Sequence, residues 1–357
     1  MSTDMNTLIV PCAGKSSRFE GLRPKWLLTH PDGKIMAAKA IEGLPLDNFG
    51  RIIITYVKPH DEKYDAGLML SQAFKDNPKV SFCMLDDFTS SACETVYETI
   101  RRMKVSGPFM VKDSDNFVKK DYSEKLGNSV SGWNIKLHPD VTRLPEKSFL
   151  KMNPDGTLKN IEEKNVISNT ICIGVYTFES AEIFCNAYED ITRSRSKDEK
   201  ELYVSHLISY LLKKGTRFRC IMADEYEDWG TLAEWRKVQK RFRSYFVDVD
   251  GVLIKNCGKY GRVNWYNNKE IISENFEVLR QLQQKGAQII ICTSRTEECR
   301  GELEKLLNEQ NIHPHAIIMG VNHAMRVMVN DFAPTNPYPS SMAITFPRNG
   351  HLKDYIF

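Results

Sequence analysis

The sequence predicts an α/β protein of two domains, and three observations lead there. The chain has 357 residues, more than one core usually carries. Short apolar runs alternate with amphipathic stretches of helical period, the pattern of a sheet flanked by helices. Two of the apolar runs, at 108–117 and 245–254, end in clustered aspartates, one in each half of the chain. The boundary is placed at 242, giving domains 1–242 and 243–357.

Apolar residues make up 41% of the chain and aromatic ones 10%, enough for real cores. The net charge is +3, too small to argue for nucleic acid as a partner. No apolar run reaches membrane-spanning length and no signal peptide precedes the first strand, so a cytoplasmic protein off the membrane is expected. Nine cysteines are scattered without a C-x-x-C pair, which predicts neither a disulfide framework nor a zinc site. Most are expected as small core residues. A homo-oligomer is left open.

The first domain is organised around residues 8–25, LIVPCAGKSSRFEGLRPK. Leu8, Ile9 and Val10 have the pattern of a short buried strand. The chain then turns through Ala13, Gly14, Lys15, Ser16 and Ser17 to Arg18, and Pro24-Lys25 follows. A strand that ends in a small-residue loop exposes backbone N–H groups able to cradle phosphate oxygens. Arg18 and Lys25 add fixed positive charge where a triphosphate needs it. The loop is not a Walker A, because no Gly-Lys-Ser/Thr closes it at the required spacing, and it is not a dinucleotide fingerprint, because only one glycine is present. The plain alternative is a strand-to-helix turn with surface cations.

Strand and helix patterns then alternate. Residues 50–57 (GRIIITYV) and 80–85 read as the second and third buried strands. Residues 88–100 (FTSSACETVYETI) open with hydroxyls and run into an amphipathic helix, so Ser90, Ser91 and Thr95 are either caps or ligand contacts. Residues 108–117 (PFMVKDSDNF) form a strand ending in Asp113-Ser114-Asp115-Asn116, a place for a carboxylate to hold Mg2+ against a phosphate. Asp113 and Asp115 compete for that role. Residues 149–178 read as a short strand, an Asn-Pro-Asp-Gly turn, Glu163-Lys164, and a strand at 167–178 containing Gly174. By itself the Glu-Lys pair suits a salt-bridged hairpin as well as a ligand contact. Residues 194–200 are a charge run, read as a solvated loop or helix start. Residues 227–235 (EDWGTLAEW) set Asp228 before Gly230-Thr231 and a helix. The basic stretch 235–244 reads as the last helix and linker, with a solvated face.

Taken in this order, loop-Arg, Pro-Lys, the strand-end aspartate, Glu-Lys and Asp-Trp-Gly-Thr resemble the sugar-phosphate nucleotidyltransferases, a glycosyltransferase-A-like family, over residues 5–240. Each motif is weak alone, and the ordered set carries the resemblance. Lys15 and Ser16 stand where the family more often has a second glycine. The resemblance implies Mg2+-dependent attack of an acceptor phosphate on the α-phosphorus of a nucleoside triphosphate. Ala13, Gly14, Ser16 and Ser17 would hold the nucleotide, with Ser91 and Thr95 by the base. Arg18 and Lys25 would be the catalytic cations, and Asp115 and Asp228 the metal ligands. Glu163 and Lys164 would bind a phosphorylated acceptor, a sugar phosphate first, with Gly174 allowing close approach. Similar cytidylyltransferases leave phosphocholine, a phosphonate or a phosphorylated amino acid open as acceptor. Two rivals remain: glycosyl transfer, which Arg18 and Pro24-Lys25 disfavour, and a degenerate domain acting as a binding module.

The second domain opens with 245–254, YFVDVDGVLI, an apolar strand ending in Asp248-x-Asp250-Gly251-Val252. Carboxylates at i and i+2 on a strand share a face, so they can share Mg2+ while one attacks phosphorus. Residues 287–293 (AQIIICT) are a strand running into Thr293-Ser294-Arg295, and 326–331 (RVMVND) read as a last strand ending at Asp331, with Asn330 beside it. This set closely resembles the haloacid dehalogenase superfamily and implies a Rossmann-like domain. Asp248 would be the nucleophile and Asp250 the general acid and then base. Thr293, Ser294 and Arg326 would hold the phosphoryl group, Arg326 standing where a lysine is usual. Asp248, Asp250 and Asp331 would hold Mg2+. The gaps between motifs are too short for an inserted cap, which leaves an open site, with 261–268 (GRVNWYNN) as a small flap. Pro337, Pro339 and Pro347 make 336–349 loop-rich, and His313, His315 and His323 read as surface or turn residues. The whole is then a bifunctional transferase and phosphatase, a combination suited to surface-polysaccharide synthesis.

Overall fold

The structure is a computed structural model and describes residues 6–19, 21–122, 127–137, 144–195, 201–256, 265, 270–331 and 340–356. The flap expected at 261–268 lies outside these residues save Trp265, as do Pro337, Pro339 and most of the 194–200 charge run. The chain divides into two compact units, Met1–Trp235 and Arg236–Phe357. The division falls inside the helix Leu232–Arg241, whereas the sequence placed it at 242, just past that helix. Among the described residues no helix is long and apolar enough to cross a membrane.

The first unit is built on one large sheet. β1 (Thr7–Pro11), β2 (Arg51–Val57), β3 (Val80–Leu85) and β4 (Phe109–Lys112) are parallel, in the order β4-β1-β2-β3. Leu8, Ile9 and Val10 are fully buried, as a strand covered on both faces requires. Leu8 and Val10 join the core on one side of the sheet, and Ile9 joins the other, following the two-residue alternation of strands.

The chain then forms β5 (Asn116–Lys119), β6 (Ser129–Asn134), the hairpin β7 (Ser148–Met152) and β8 (Leu158–Glu163), then β9 (Thr170–Phe178) and β10 (Arg219–Met222). β9 is buried along its whole length and runs antiparallel between β4 and β6, joining the two halves of the sheet. β11 (Glu225–Asp228) leaves the sheet and pairs antiparallel with β5 as a two-stranded ribbon. The helices of this unit include α1 (Met36–Ile41), α2 (Lys58–Tyr64), α3 (Ala66–Ala73), α4 (Ala92–Met103), α5 (Ala181–Ser194) and α6 (Val204–Lys213). α4 packs Cys93, Val96 and Ile100 with Phe184 of α5 and Leu207 of α6 in the core beneath Ile9.

The second unit is a smaller parallel sheet, β12 (Ser244–Val247), β13 (Gln288–Cys292) and β14 (Ala316–Ile318), in that order. Two helices, here α7 (Ser273–Gln284) and α8 (Arg300–Glu309), make the crossovers. Val249, Leu253, Phe276, Leu279, Ile289 and Ile291 form its core. The strand expected at 326–331 does not form. Among the described residues β12 pairs with β13 alone. Val327 and Val329 are 72% and 91% exposed, so this apolar run has taken up no sheet edge.

Candidate active site

The loop after β1 is where small residues matter. Gly14, Lys15, Ser17 and Arg18 are exposed, while Ala13 is buried against the core behind them. Ser16 adopts φ +53°, the left-handed conformation that favours glycine. It pins the loop there, because its Oγ accepts the backbone N–H of Lys25 at 3.2 Å. The serine thus stands in the conformation that a second glycine would take more easily. Arg18 projects from the loop towards Glu146, at 3.9 Å. Lys25 Nζ lies 2.5 Å from Asp115 Oδ2.

Asp115 is aimed by a buried cation that sequence patterning passed over. Lys112, the last residue of β4, is fully buried, and its ammonium donates to Asp113 O, Asn116 O and Asn116 Oδ1. These three bonds fold the chain into the turn that turns Asp115 outward. Asp113 lies against Gly174 of β9, within reach of the charges of Asp115, Lys25 and Lys147. A Cβ on Gly174 would stand 2.3 Å from Asp113 Oδ2, and Gly174 has φ +74°. Gly174 is therefore required by Asp113, and the close approach expected for an acceptor is taken by a protein carboxylate. Burial and the neighbouring Asp115 push the Asp113 carboxyl upward. Burial works the same way on Asp115, but Lys25 outweighs it and holds that carboxyl low, with Lys147 adding to the effect.

Asp228 reaches the same place through strand pairing. In the β5–β11 ribbon Asp228 lies opposite Asn116, one residue from Asp115, and Trp229 N donates to Asp115 O at 2.9 Å. Gly230 closes the turn: a Cβ there would lie 3.1 Å from Asp228 Oδ1 and 3.3 Å from Asp115 Oδ2. The two carboxylates thus converge on one point although they are far apart in sequence. A second lysine, Lys147, hydrogen-bonds Asp228 Oδ2 and lies 3.5 Å from the Tyr226 hydroxyl. Nothing in the sequence marked it, since an isolated lysine before a strand has no pattern.

The other expected contacts are tied up within the fold. Ser91 Oγ caps α4 by accepting Glu94 N at 3.1 Å, and Thr95, 1% exposed, bonds Ser91 O and Thr89 Oγ1. Both are helix-start residues, the first of the two readings the sequence allowed. Glu163 Oε2 is taken by the Ser148 and Ser205 hydroxyls. Lys164, at φ +57°, turns its ammonium to Tyr203 OH at 2.8 Å, over that ring. Neither faces the other as a simple hairpin ion pair. Beside the phosphate-type loop lies a cavity of about 630 Å³ lined by Lys15, Ser16, Ser17, His60, Tyr64 and Phe88. His60 is 5% exposed, meets Phe88 edge-on at 5.0 Å, and among the described residues its Nδ1 has no hydrogen-bond partner.

Solved structures share this architecture. A nucleoside-diphosphate-sugar pyrophosphorylase from Vibrio cholerae RC9 superposes with a TM-score of 0.53 at 20% identity, over 65% of this chain and 98% of that one. The first unit has the sugar-phosphate nucleotidyltransferase fold. An inositol-1-phosphate CTP transferase from T. maritima (TM-score 0.50, 12% identity, 66% of this chain and 96% of that one) has the same fold. So does a putative glucose-1-phosphate thymidylyltransferase from Bacillus anthracis (TM-score 0.51, 18% identity, 65% and 93%). No family profile and no curated protein matches the chain by sequence. The nucleotidyltransferase-fold unit therefore carries its likeness in backbone geometry, with most side chains changed.

In the second unit the acidic set is only partly assembled. Asp248, at the end of β12, accepts Val249 N at 2.8 Å and has Arg326 at 3.7 Å. Burial pushes its carboxyl upward. Arg326 also reaches Ser294 Oγ at 3.4 Å. Thr293 is fully buried, and its Oγ1 accepts Arg295 N. Asp250 is gripped by Arg295, whose Nη2 and Nε donate to its two oxygens at 2.8 and 3.0 Å. Asp331 does not join them. It is exposed, and among the described residues no three His, Cys, Asp or Glu side chains group to hold a metal. The physical reason is the missing strand, since a residue is brought to a strand end only when its strand pairs. His313, His315 and His323 are exposed.

Proposed function

We propose that the first unit transfers a nucleotidyl group from a nucleoside triphosphate to a phosphorylated small molecule, with sugar phosphates the first acceptor class. The observation that supports this most is the convergence of Asp115 and Asp228 beside a loop bearing Arg18 and Lys25. The donor set suits Mg2+, which takes one or two carboxylates and completes its shell with water and substrate phosphates. When bound, such an ion supplies charge neutralisation and alignment of the phosphates. An acceptor phosphate oxygen attacks the α-phosphorus in line. The new P–O bond forms as the bond to the bridging oxygen breaks, and pyrophosphate leaves with that electron pair. Lys25 and Arg18 offset the charge on the departing group, while the N–H groups of the 13–17 loop hold phosphate oxygens. The cavity beside that loop offers Phe88 and Tyr64 as apolar walls for a base.

The test is pyrophosphate release with Mg2+, each common nucleoside triphosphate and dTTP, against pooled phosphorylated acceptors that include phosphocholine and phosphonates. One triphosphate should give a signal, and Asp115→Asn should lower it by about 10²–10³-fold. Silence with every pool would sink the reading, and nucleoside diphosphate released from a nucleotide sugar would replace it with glycosyl transfer.

A second reading assigns phosphate monoester hydrolysis to the C-terminal unit, favoured by Asp248 at a strand end with Arg326 and Ser294 beside it. Asp248 attacks phosphorus, the ester P–O bond breaks, and the alcohol leaves with its electron pair and a proton from Asp250. Water then cleaves the aspartyl-phosphate to inorganic phosphate. Asp250 performs its part only once its paired contact with Arg295 opens. The donor set as it stands does not fit a metal ion, because Asp331 is apart from it. Free phosphate released from phosphate esters, and lost in Asp248→Asn, is the expected result. Unchanged release would exclude the role.

A further inference from the structure

Lys147 belongs to none of the expected motifs, yet its ammonium rests on Asp228, one of the two converging carboxylates. Its side chain is 19% exposed, so it is held inside the site and not on the surface. Lys25 treats Asp115 in the same way. Each carboxylate therefore carries an ammonium where a divalent cation would otherwise bind, and the site is neutralised by its own lysines. The position of Lys147 follows from the fold. It immediately precedes β7, whose first residue Ser148 pairs with Glu163, and its carbonyl accepts Lys164 N at 3.0 Å. The same short segment carries Glu146, the partner of Arg18. A movement of this segment's side chains would act on both the loop cation and the metal carboxylate.

We infer that Lys147 is a catalytic residue of the transfer, parked on Asp228 in the ligand-free protein and passed to the acceptor's phosphate when Asp228 takes up a divalent cation. This rests on the transferase reading given above. Two like charges do not share one carboxylate edge at low cost, so the arriving cation displaces the ammonium. A freed ammonium next to converging phosphates pairs with the nearest phosphate oxygen. Lys147 is then both a competitor for the metal site and a group that the acceptor needs, so its removal has effects of opposite sign.

That opposition is the test. The protein is the full chain carrying Asp248→Asn, so that the C-terminal carboxylates contribute little metal binding. Mn2+ binding is read without nucleotide from the loss of the free-ion electron paramagnetic resonance signal. Pyrophosphate release is read separately with the triphosphate that supports it. Lys147→Met should bind Mn2+ about tenfold more tightly, because a competing charge has gone. The same variant should lose about 10²-fold in kcat/KM for the acceptor, with KM for the triphosphate little changed. Lys147→Arg keeps a cation and should recover part of the turnover while Mn2+ affinity stays near that of the parent. Mn2+ affinity unchanged or weaker in Lys147→Met would overturn the inference, as would tighter binding with full turnover. A melting temperature equal to the parent's shows that the losses are not unfolding. A parent that releases pyrophosphate while Lys147→Met does so equally well sinks this inference alone, whereas a parent inactive with every triphosphate sinks the transferase reading and this role with it.

Discussion

Asp115 and Asp228 meet through a ribbon between distant strands, whereas Asp248 and Asp250 are two residues apart at one strand end. The distant pair is the better assembled. β5 and β11 set both backbones in register, Lys112 fixes the turn below, and each carboxylate has a lysine on it. The local pair looked stronger as a motif, yet Arg295 takes Asp250 and Asp331 stays outside. A short motif specifies which side chains share a face. It does not specify which cation will reach them, or whether the strand carrying a third acid will pair.

Burying a charge behind each centre gives the largest contrast. Lys112→Met would leave Asn116 Oδ1 and two carbonyls without their donor, and should destabilise the first unit by about 3 kcal/mol or more. Arg295→Met should strand Asp250 in the second unit at a similar cost. Urea unfolding followed by unit-specific probes, such as Trp26 and Trp229 for the first unit, checks both. Loss of stability in the other unit, or in neither, would break the comparison.

Acid should separate the units next. Burial lowers the His60 imidazole from 6.5 to about 4, and burial lowers His30 and His206 as well. All three belong to the first unit. The folded form of His60 resists protonation, so its contribution is complete above the unfolded value near 6.5. It is lost as pH falls towards about 4, and amounts to ~3 kcal/mol. His60→Phe should flatten this limb of the stability–pH curve, measured by urea midpoints between pH 7 and pH 4. An unchanged limb would remove His60 as its cause.

The smallest effect distinguishes two glycines. Gly174→Ala forces a side chain into a left-handed backbone with Asp113 Oδ2 only 2.3 Å away, and should cost about 2 kcal/mol. Gly14→Ala meets nothing within 4 Å and should shift stability by less than about 0.5 kcal/mol. Thermal melting of the two variants decides it, and equal losses would mean that Gly174 is not constrained by Asp113.

Strands β1 and β2 were legible because each is an apolar run buried on both faces, and β3, only partly buried, still lies at the residues expected, 80–85. β5 and β11 were not, since NFVK and EYED carry no period that marks a strand; only their pairing makes them one. Asp115 and Asp228 were singled out by the family resemblance, from their places in its ordered motifs; the residues alone left Asp113 and Asp115 competing. Lys112 and Lys147 were missed because a lysine is ordinarily read as surface, and burial depends on what folds around it. The strand at 326–331 was over-read for the converse reason: an apolar alternation shows that a segment can pair, and supplies no partner edge.

Local pattern alone therefore determined the α/β class, the two-part organisation, the exposed loop with Arg18, and the two places where aspartates end strands. These rest on short-range physics: period, turn chemistry and the burial of contiguous apolar side chains. Tertiary structure decided which carboxylates face one another, that Gly174 makes room for Asp113, and that Lys25, Lys147 and Arg295 sit on the acids. Those are contacts between residues far apart in the chain. Coulomb attraction and close packing act through space, so they take effect only once the sheet and the β5–β11 ribbon have fixed the distances.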